Sequence, residues 1–236
     1  RLLGKPLPAL WGGPINNVWF NFACGDPSDP SLLHWTHGND PDSTSDANTL
    51  VVTSSSEPLM NGFYFDGQPY VFSSDRLLRI VATFGDLTSF RCLETPCTKG
   101  LWSRYGFALA PEGVYFVAKD GIYLTAAGSD AISITDPDLS PIFPQDGGND
   151  AVAVRGISPP DFTQPNKMRL TYVDDALYFD YQDKTGALRT LMFEPKYKRW
   201  TPDLYASGVT ARLDESGQQV HTNLIGCANG NLYQFD

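Results

Sequence analysis

Long segments free of glycine and proline are scarce in this chain. It contains 21 glycines and 18 prolines in 236 residues, and only residues 166–185 run for twenty positions without either. Because proline breaks helices and glycine weakens them, long helices are excluded, whereas short strands joined by tight turns are favoured. No run of 18 apolar residues is present, so the sequence predicts no segment that spans a membrane.

Positive charge is also in short supply. The 17 lysines and arginines face 27 aspartates and glutamates, which gives a net charge of −10. Proteins that bind the phosphate backbone carry a basic surface, so we expect no specific nucleic-acid binding. Hydrophobic residues make up 42% of the chain, which excludes disorder and suffices for a large core. The first residue is Arg1 rather than methionine, and we interpret the chain as a processed or trimmed piece of a longer polypeptide.

Motifs of known catalytic chemistry are missing as well. The sequence has no G-x-S-x-G nucleophile elbow, no glycine-rich phosphate loop and no H-E-x-x-H zinc motif, which are the patterns that place a nucleophile, a phosphate or a metal. We therefore predict no catalytic, cofactor-binding or metal-binding residue, no cofactor and no enzymatic activity.

Two segments carry residues of the types that ligate metals. His34 and His37 have the i,i+3 spacing that brings ligands together on a helix, but their segment is predicted as strand or loop, where the two rings diverge. We expect one of them to be packed and the other exposed. Residues 40–46 carry three aspartates, yet they lack the glycine and the glutamate that a calcium-binding EF-hand loop requires, so a solvated turn is favoured.

Adjacent acidic pairs offer the carboxylates of a glycosidase. Asp174-Asp175 lies between two predicted strands, and Asp214-Glu215 lies in a region predicted as a loop over 202–218. Adjacent acids are common in exposed turns, so turns are the favoured interpretation for both pairs.

The four cysteines are Cys24, Cys92, Cys97 and Cys227. Cys92 and Cys97 are separated by four residues, which a turn could close into a disulfide. Four cysteines in a chain of this length do not make a disulfide framework, and reduced thiols are favoured.

Four copies of one pattern, a turn residue followed by a short aromatic strand, recur along the chain. Their tyrosines are Tyr70, Tyr115, Tyr178 and Tyr233, at intervals of 45, 63 and 55 residues, and a further strand precedes each turn. Propeller repeats have about this length, roughly 40–50 residues. The sequence thus predicts an all-β chain, a β-propeller of about five four-stranded antiparallel blades over residues 1–236 as one domain. A β-sandwich is the alternative, and an incomplete ring or a fragment of a larger protein is compatible with the pattern.

Three segments give more detailed expectations. Residues 166–185 favour a hairpin over a helix, and the Pro- and Asp-rich residues 136–165 predict a long loop within the domain. The segment Gly113–Thr125 predicts a hairpin, with Asp120-Gly121 supplying a positive φ at its turn. In that hairpin Val114, Phe116 and Ile122 are expected to be more buried than Lys119 and Asp120, and Tyr115 is expected to be buried against a neighbouring blade.

Several runs along the chain share the character of one protein family. They are Gly62–Phe65 continuing through Tyr70–Ile80, then Gly106–Ala110 followed by Gly113–Tyr123, then Lys198–Trp200, and finally Cys227–Tyr233. These runs resemble the β-propeller virion proteins of tailed bacteriophages, of the tail, neck and nozzle type, and related bacterial propellers. The resemblance covers roughly residues 10–236.

The resemblance implies a non-enzymatic structural or adaptor part of a phage tail that acts by protein–protein assembly. Its expected partners are other virion proteins, with a ring-forming homo-oligomer and no membrane, and its expected location is the virion. The acidic charge is compatible with a channel through which DNA passes without sticking. The alternatives are a carbohydrate-binding propeller or a propeller glycosidase, with a bacterial cytoplasmic or extracellular location. The five tryptophans do not fall at one blade position, which argues against repeated sugar sites.

Overall fold

The computed structural model describes residues 9–83, 86–126, 128–137, 139–144, 150–203, 209–216 and 221–235. Within these ranges it contains nineteen strands and two 3₁₀ helices of three residues each, Ser140–Ile142 and Pro165–Lys167. The chain divides into two compact units, the first formed by Arg1–Trp102 with Thr125–Ala131 and the second by Ser103–Leu124 with Ile132–Asp236. The all-β prediction is confirmed, while the interpretation of residues 1–236 as one domain stays a prediction.

The first unit contains two four-stranded sheets whose strands pair antiparallel in chain order. Apolar residues dominate the central strands, and buried side chains lie on both faces of Val18–Asp26 and of Gln68–Ser73. The first sheet consists of Trp11–Ile15 (β1), Val18–Asp26 (β2), Asp29–Trp35 (β3) and Thr49–Val51 (β4), and the second of Leu59–Phe65 (β5), Gln68–Ser73 (β6), Leu77–Thr83 (β7) and Asp86–Glu94 (β8).

An aromatic cluster forms the core of the first unit. The ring of Phe90 on β8 meets Phe20, Phe22 and Trp35 of the first sheet edge-on, with centroid distances of 5.0, 5.8 and 5.1 Å. Such edge-to-face pairs add to the stabilisation from burial. The cluster therefore joins the two sheets of this unit into one core.

The second unit contains three antiparallel sheets, again in chain order. Two have four strands and the last has three in the part of the chain that is described. The strands are Phe107–Ala110 (β9), Gly113–Val117 (β10), Ile122–Thr125 (β11) and Ile132–Ser133 (β12); Arg169–Val173 (β13), Ala176–Gln182 (β14), Leu188–Glu194 (β15) and Arg199–Asp203 (β16); and Val209–Ser216 (β17), His221–Cys227 (β18) and Leu232–Phe235 (β19).

Strand β17 corrects the expectation of a loop over residues 202–218. It pairs with β18 from Val209↔Cys227 to Ser216↔His221, with a bulge after Val209. The physical reason is visible in the sequence, where Val209, Ala211 and Leu213 alternate with polar residues. The pair Asp214-Glu215 consequently lies on a strand rather than in a turn.

Three of the four tyrosines of the sequence repeat occupy the same position in their sheets. Tyr70, Tyr115 and Tyr178 are each the third residue of the second strand of their sheet, and all three are buried. Phe20 holds the same position in β2 and is also buried, so the first sheet carries an instance that the tyrosine pattern missed. The repeat therefore marks the second strand of four successive sheets.

Tyr233 is the exception, because it lies on the third strand of its sheet. The β18–β19 connection matches the β14–β15 connection, because in each a five-residue turn is closed by a hydrogen bond from the N–H of its first residue to the carbonyl of its fifth. The bonds are Cys227 to Asn231 at 3.0 Å and Asp183 to Ala187 at 2.8 Å. In each, a glycine with positive φ stands fourth, Gly230 or Gly186. Strand β19 is thus the counterpart of β15, and the fourth copy of the sequence pattern is not equivalent to the others.

Tight turns join the first and second strands of most sheets. Asn16-Asn17, Asp66-Gly67 and Asp174-Asp175 each have positive φ at both positions, as two-residue hairpins with the twist of the flanking strands require. The prediction of a turn at Asp174-Asp175 within a 166–185 hairpin is confirmed by strands β13 and β14.

For the hairpin over Gly113–Thr125, the predicted order of burial is confirmed, but the predicted positive φ at its turn is wrong. Lys119 is exposed and Asp120 half-buried, whereas Val114, Tyr115, Phe116 and Ile122 are buried. Neither Asp120 nor Gly121 has positive φ. Glycine fits at position 121 for another reason, since a Cβ there would stand 2.6 Å from Thr135 Oγ1.

All four cysteines lie in described residues, and no disulfide joins them. Burial raises the pKa of the Cys92 thiol to about 12 and also raises the pKa of Cys97. Because the thiolate is the reactive form, we expect native protein to react far more slowly with a thiol reagent at pH 8 than urea-unfolded protein.

Intact mass spectrometry after alkylation in urea without reductant should show four added groups. Only two added groups under these unfolding, non-reducing conditions would contradict this expectation and support the Cys92–Cys97 disulfide.

Candidate functional site

The burial of the two candidate metal-ligating histidines differs from the prediction. His34 lies on β3, opposite Ala23 and Thr49, and His37 pairs with Asp40 in an isolated bridge. Both are half-buried, so the prediction of one packed and one exposed ring is wrong. Strand pairing covers part of His34, and the turn that follows covers part of His37. Within the described ranges no three metal-ligating side chains cluster.

Residues 40–46 form a turn closed by backbone hydrogen bonds. The N–H of His37 donates to Ser43 O at 2.8 Å, and the N–H of Ser43 donates to Asp40 O at 3.2 Å. Thr44 Oγ1 donates to Trp35 O at 2.7 Å, which ties the turn to the end of β3. The favoured interpretation of this segment as a turn is confirmed.

The predicted long loop at 136–165 is present, and its base is firmly packed. No strand of the described residues lies between β12 and β13. Phe143 is fully buried, stacks on Phe179 of β14 at 6.1 Å and meets Phe162 edge-on at 5.8 Å. The hydroxyl of Tyr181 donates to Ser158 O at 2.7 Å. Aromatic contacts and a hydrogen bond therefore fix this loop to the neighbouring strand.

The outer part of the same loop is displayed on the surface. Val152 is 57% exposed, although its N–H donates to Pro141 O at 2.8 Å. Beyond it, Val154 and Ile157 exchange backbone hydrogen bonds across a turn in which Arg155 and Gly156 have positive φ. Residues 150–158 thus form an ordered projection, which we call the displayed loop.

A cavity of about 410 Å³ lies in the second unit, between its first sheet and the β15–β16 hairpin. Its apolar walls include Leu124, Ile132, Ile134, Phe193 and Pro195. Trp200 fixes the junction, since its indole N–H donates to Ile134 O at 2.8 Å. The volume lies within the range of small-molecule pockets.

One carboxylate in this cavity is held in place. The Tyr115 hydroxyl donates to Glu112 Oε1 at 2.5 Å. The Tyr115 ring stacks on Tyr172 at 6.3 Å and meets Phe193 edge-on at 6.4 Å. Burial, and then the Glu112 carboxylate, raises the pKa of both Tyr115 and Tyr172, the latter to about 12. Tyr115 therefore stays a proton donor to Glu112 at neutral pH.

Two further charged side chains, Asp136 and Lys198, line the cavity. Both are exposed, and neither takes part in an ion pair within 4.0 Å among the described residues. Lys198 has a φ of 50° in the turn of the β15–β16 hairpin. The charges in this otherwise apolar cavity are thus two carboxylates and one ammonium group.

No sequence motif marks this cavity, because its residues come from four separate segments. The one local signal was Pro111-Glu112, a turn that departs from the Asn and Asp turns of three other sheets. The prediction that the five tryptophans do not share one blade position is confirmed. Four of them lie on the first, second, third and fourth strands of their sheets (Trp11, Trp19, Trp35 and Trp200), and Trp102 lies outside the strands.

No protein-family model matches the chain, and no curated protein matches it in sequence. Among solved structures it is similar to the dihydro-heme d1 dehydrogenase NirN in complex with DHE, with a TM-score of 0.51 and 8% identity over 93% of this chain and 42% of that one. It is also similar to a putative 6-phosphogluconolactonase from Bacteroides uniformis ATCC 8492, with a TM-score of 0.50 and 11% identity over 97% of this chain and 66% of that one.

These similarities establish the fold alone. The lactonase is a β-propeller protein, and the present chain has the β-propeller fold, built from antiparallel sheets that follow one another in chain order. The chain spans less than two thirds of the length of either neighbour. Propellers host unrelated functions, so what these neighbours do carries no weight for this chain. In the described residues no helix has the length and hydropathy to cross a bilayer.

Proposed function

We propose that this chain is a non-enzymatic assembly module whose contacts are made by loops on a rigid β-propeller scaffold. The observation that carries the proposal is the displayed loop. Its base is locked by Phe143, Phe179 and Tyr181, while Val152 faces solvent. Ordered loops on a rigid scaffold are the usual place for binding surfaces, since little entropy is lost when they bind.

In its more specific form, the proposal is that the partners are copies of this chain and other proteins of a bacteriophage tail. The support is the sequence resemblance of runs such as Gly113–Tyr123 and Lys198–Trp200. A ring of identical subunits would multiply individually weak loop contacts through effective concentration.

Sedimentation velocity over a concentration series, with electron microscopy of the particles, tests the proposal. The chain is expected to self-associate into rings, and Val152→Asp should raise the concentration needed for association by about tenfold or more, since it places a charge in an apolar contact. Val51→Asp is the matched control, because Val51 on β4 is equally a solvent-facing valine, 67% exposed, and it should leave association unchanged.

Three results would contradict the proposal. The chain could remain a monomer at every concentration, or both aspartate variants could weaken association equally. Saturable hydrolysis of a glycoside panel by the purified chain would favour the glycosidase alternative.

A further inference from the structure

The 410 Å³ cavity of the second unit has one fixed carboxylate, walls that are mostly apolar, and two further charged side chains, Asp136 and Lys198. Small-molecule sites have this composition, a few placed polar atoms in a mostly apolar concavity. The displayed loop at residues 150–158 does not line the cavity. A function for the cavity is therefore separate from the assembly proposed above.

The fixed group is the Glu112 carboxylate. Tyr115 occupies one of its acceptor positions at Oε1, and an ionised carboxylate offers about four. In the described part of the chain no cation pairs with Glu112 within 4.0 Å. The Tyr115 ring is itself immobilised between Tyr172 and Phe193, so the carboxylate is oriented before any ligand arrives. Such preorganisation lowers the cost of binding.

The sign of the ligand follows from the lining charges. Glu112 and Asp136 contribute two negative charges and Lys198 contributes one positive charge, so the lining is net negative. Lys198 is exposed in a hairpin turn, and its long flexible stem allows the ammonium to extend into water. Glu112 is also exposed, in the β9–β10 turn, but the hydrogen bond from Tyr115 holds its carboxylate at the cavity.

We propose that this cavity binds a small organic cation with an apolar body, such as an arylalkylamine. Its charged nitrogen donates to Glu112, and its body packs against Leu124, Ile134 and Phe193. Asp136 adds attraction for the cation, and Lys198 opposes it.

Isothermal titration calorimetry on the wild-type full chain tests whether the ligand is a cation. It uses three ligands of similar shape and different charge. Phenethylamine should bind about tenfold or more tightly than 2-phenylethanol, because its ammonium adds charge–charge attraction to the hydrogen bond that either ligand can donate to the Glu112 carboxylate. 3-Phenylpropionate, which carries the opposite charge, should bind weakest. Equal affinity for the three ligands, or no binding of phenethylamine up to about 10 mM, would overturn the proposal.

Two substitutions of opposite sign locate the site. Glu112→Gln should weaken phenethylamine binding about tenfold, and Lys198→Gln should strengthen it about threefold, since each removes one full charge beside the ligand. Lys184→Gln is the control, because Lys184 is exposed on the β14–β15 loop and does not line the cavity. It should leave the affinity unchanged.

Circular dichroism shows whether Glu112→Gln is folded. If it is not, the affinity of Lys198→Gln still tests the proposal. A loss of phenethylamine affinity in Lys198→Gln would overturn the inference, and so would wild-type affinity in a folded Glu112→Gln. Neither outcome bears on the assembly measured with Val152→Asp.

Discussion

Replacing Phe116 by alanine should lower the free energy of unfolding by about 3–5 kcal/mol, the usual loss for truncating a large aromatic side chain in a core. Phe116 is fully buried as the fourth of the five residues of β10, lies opposite Phe107 of β9, and stacks on Tyr123 at 5.9 Å. The loss combines the transfer of the ring out of the core with the cavity that remains. Urea denaturation followed by circular dichroism measures it.

Leu109→Ala is the matched control for Phe116→Ala. Leu109 lies on β9 of the same sheet, opposite Val114, but is 45% exposed. Its truncation should cost less than about 1 kcal/mol, as for most surface substitutions. If the Phe116 variant lost as little as this control, β10 would not be the buried strand described here.

Local patterns in the sequence were sufficient to predict most strands and hairpins. The run Val114–Val117 and the alternation in 169–181 specify strands wherever they lie in space, because pleated strands place successive side chains on opposite faces. The tyrosine repeat located the second strands at Tyr70, Tyr115 and Tyr178 for the same reason. Tyr233 carried the same local pattern on a third strand, so the pattern identifies a strand that follows a turn but not its rank in the sheet.

The features that depend on distant partners escaped prediction. Gly121 was expected to serve its own turn, whereas the neighbour that requires a glycine there is Thr135. The cavity escaped for the same reason, since Glu112 and Lys198 are 86 residues apart in sequence. A pattern within one strand contains no information on which hairpin of the next sheet packs against it.

Replacing Arg76 by methionine should destabilise the first unit by about 1–3 kcal/mol. The Arg76 side chain is 40% exposed while its partner is nearly buried, so the loss lies between that of an exposed pair and that of a buried pair. Arg76 binds Glu57 in bidentate fashion, with Nε to Oε1 at 2.8 Å and Nη2 to Oε2 at 2.6 Å. The Glu57 side chain is only 10% exposed. Without Arg76, its charge would keep a single side-chain donor, the Ser73 hydroxyl at 2.6 Å.

Arg199→Met supplies the control for this loss. Arg199 pairs with Glu194 at 2.9 Å, but its side chain is 64% exposed. Exposed pairs contribute about 0–1 kcal/mol, so the Arg199 variant should stay within that range. If Arg76→Met lost no more unfolding free energy than Arg199→Met, water would be solvating the Glu57 carboxylate in place of Arg76.

The difference between wild type and Arg76→Met should shrink as the pH falls. The hydrogen bond from Arg76 outweighs burial and, with the bond from Ser73, lowers the pKa of Glu57 below its ordinary value of 4.5. A lowered pKa in the folded state contributes stability that is complete above the ordinary value and is lost as the pH falls through the folded value. In Arg76→Met, protonation instead relieves the uncompensated buried charge. The difference between the denaturation midpoints of the two proteins should therefore be smaller at about pH 3.5 than at pH 7. A difference that does not change with pH would show that Arg76 acts by packing rather than by charge.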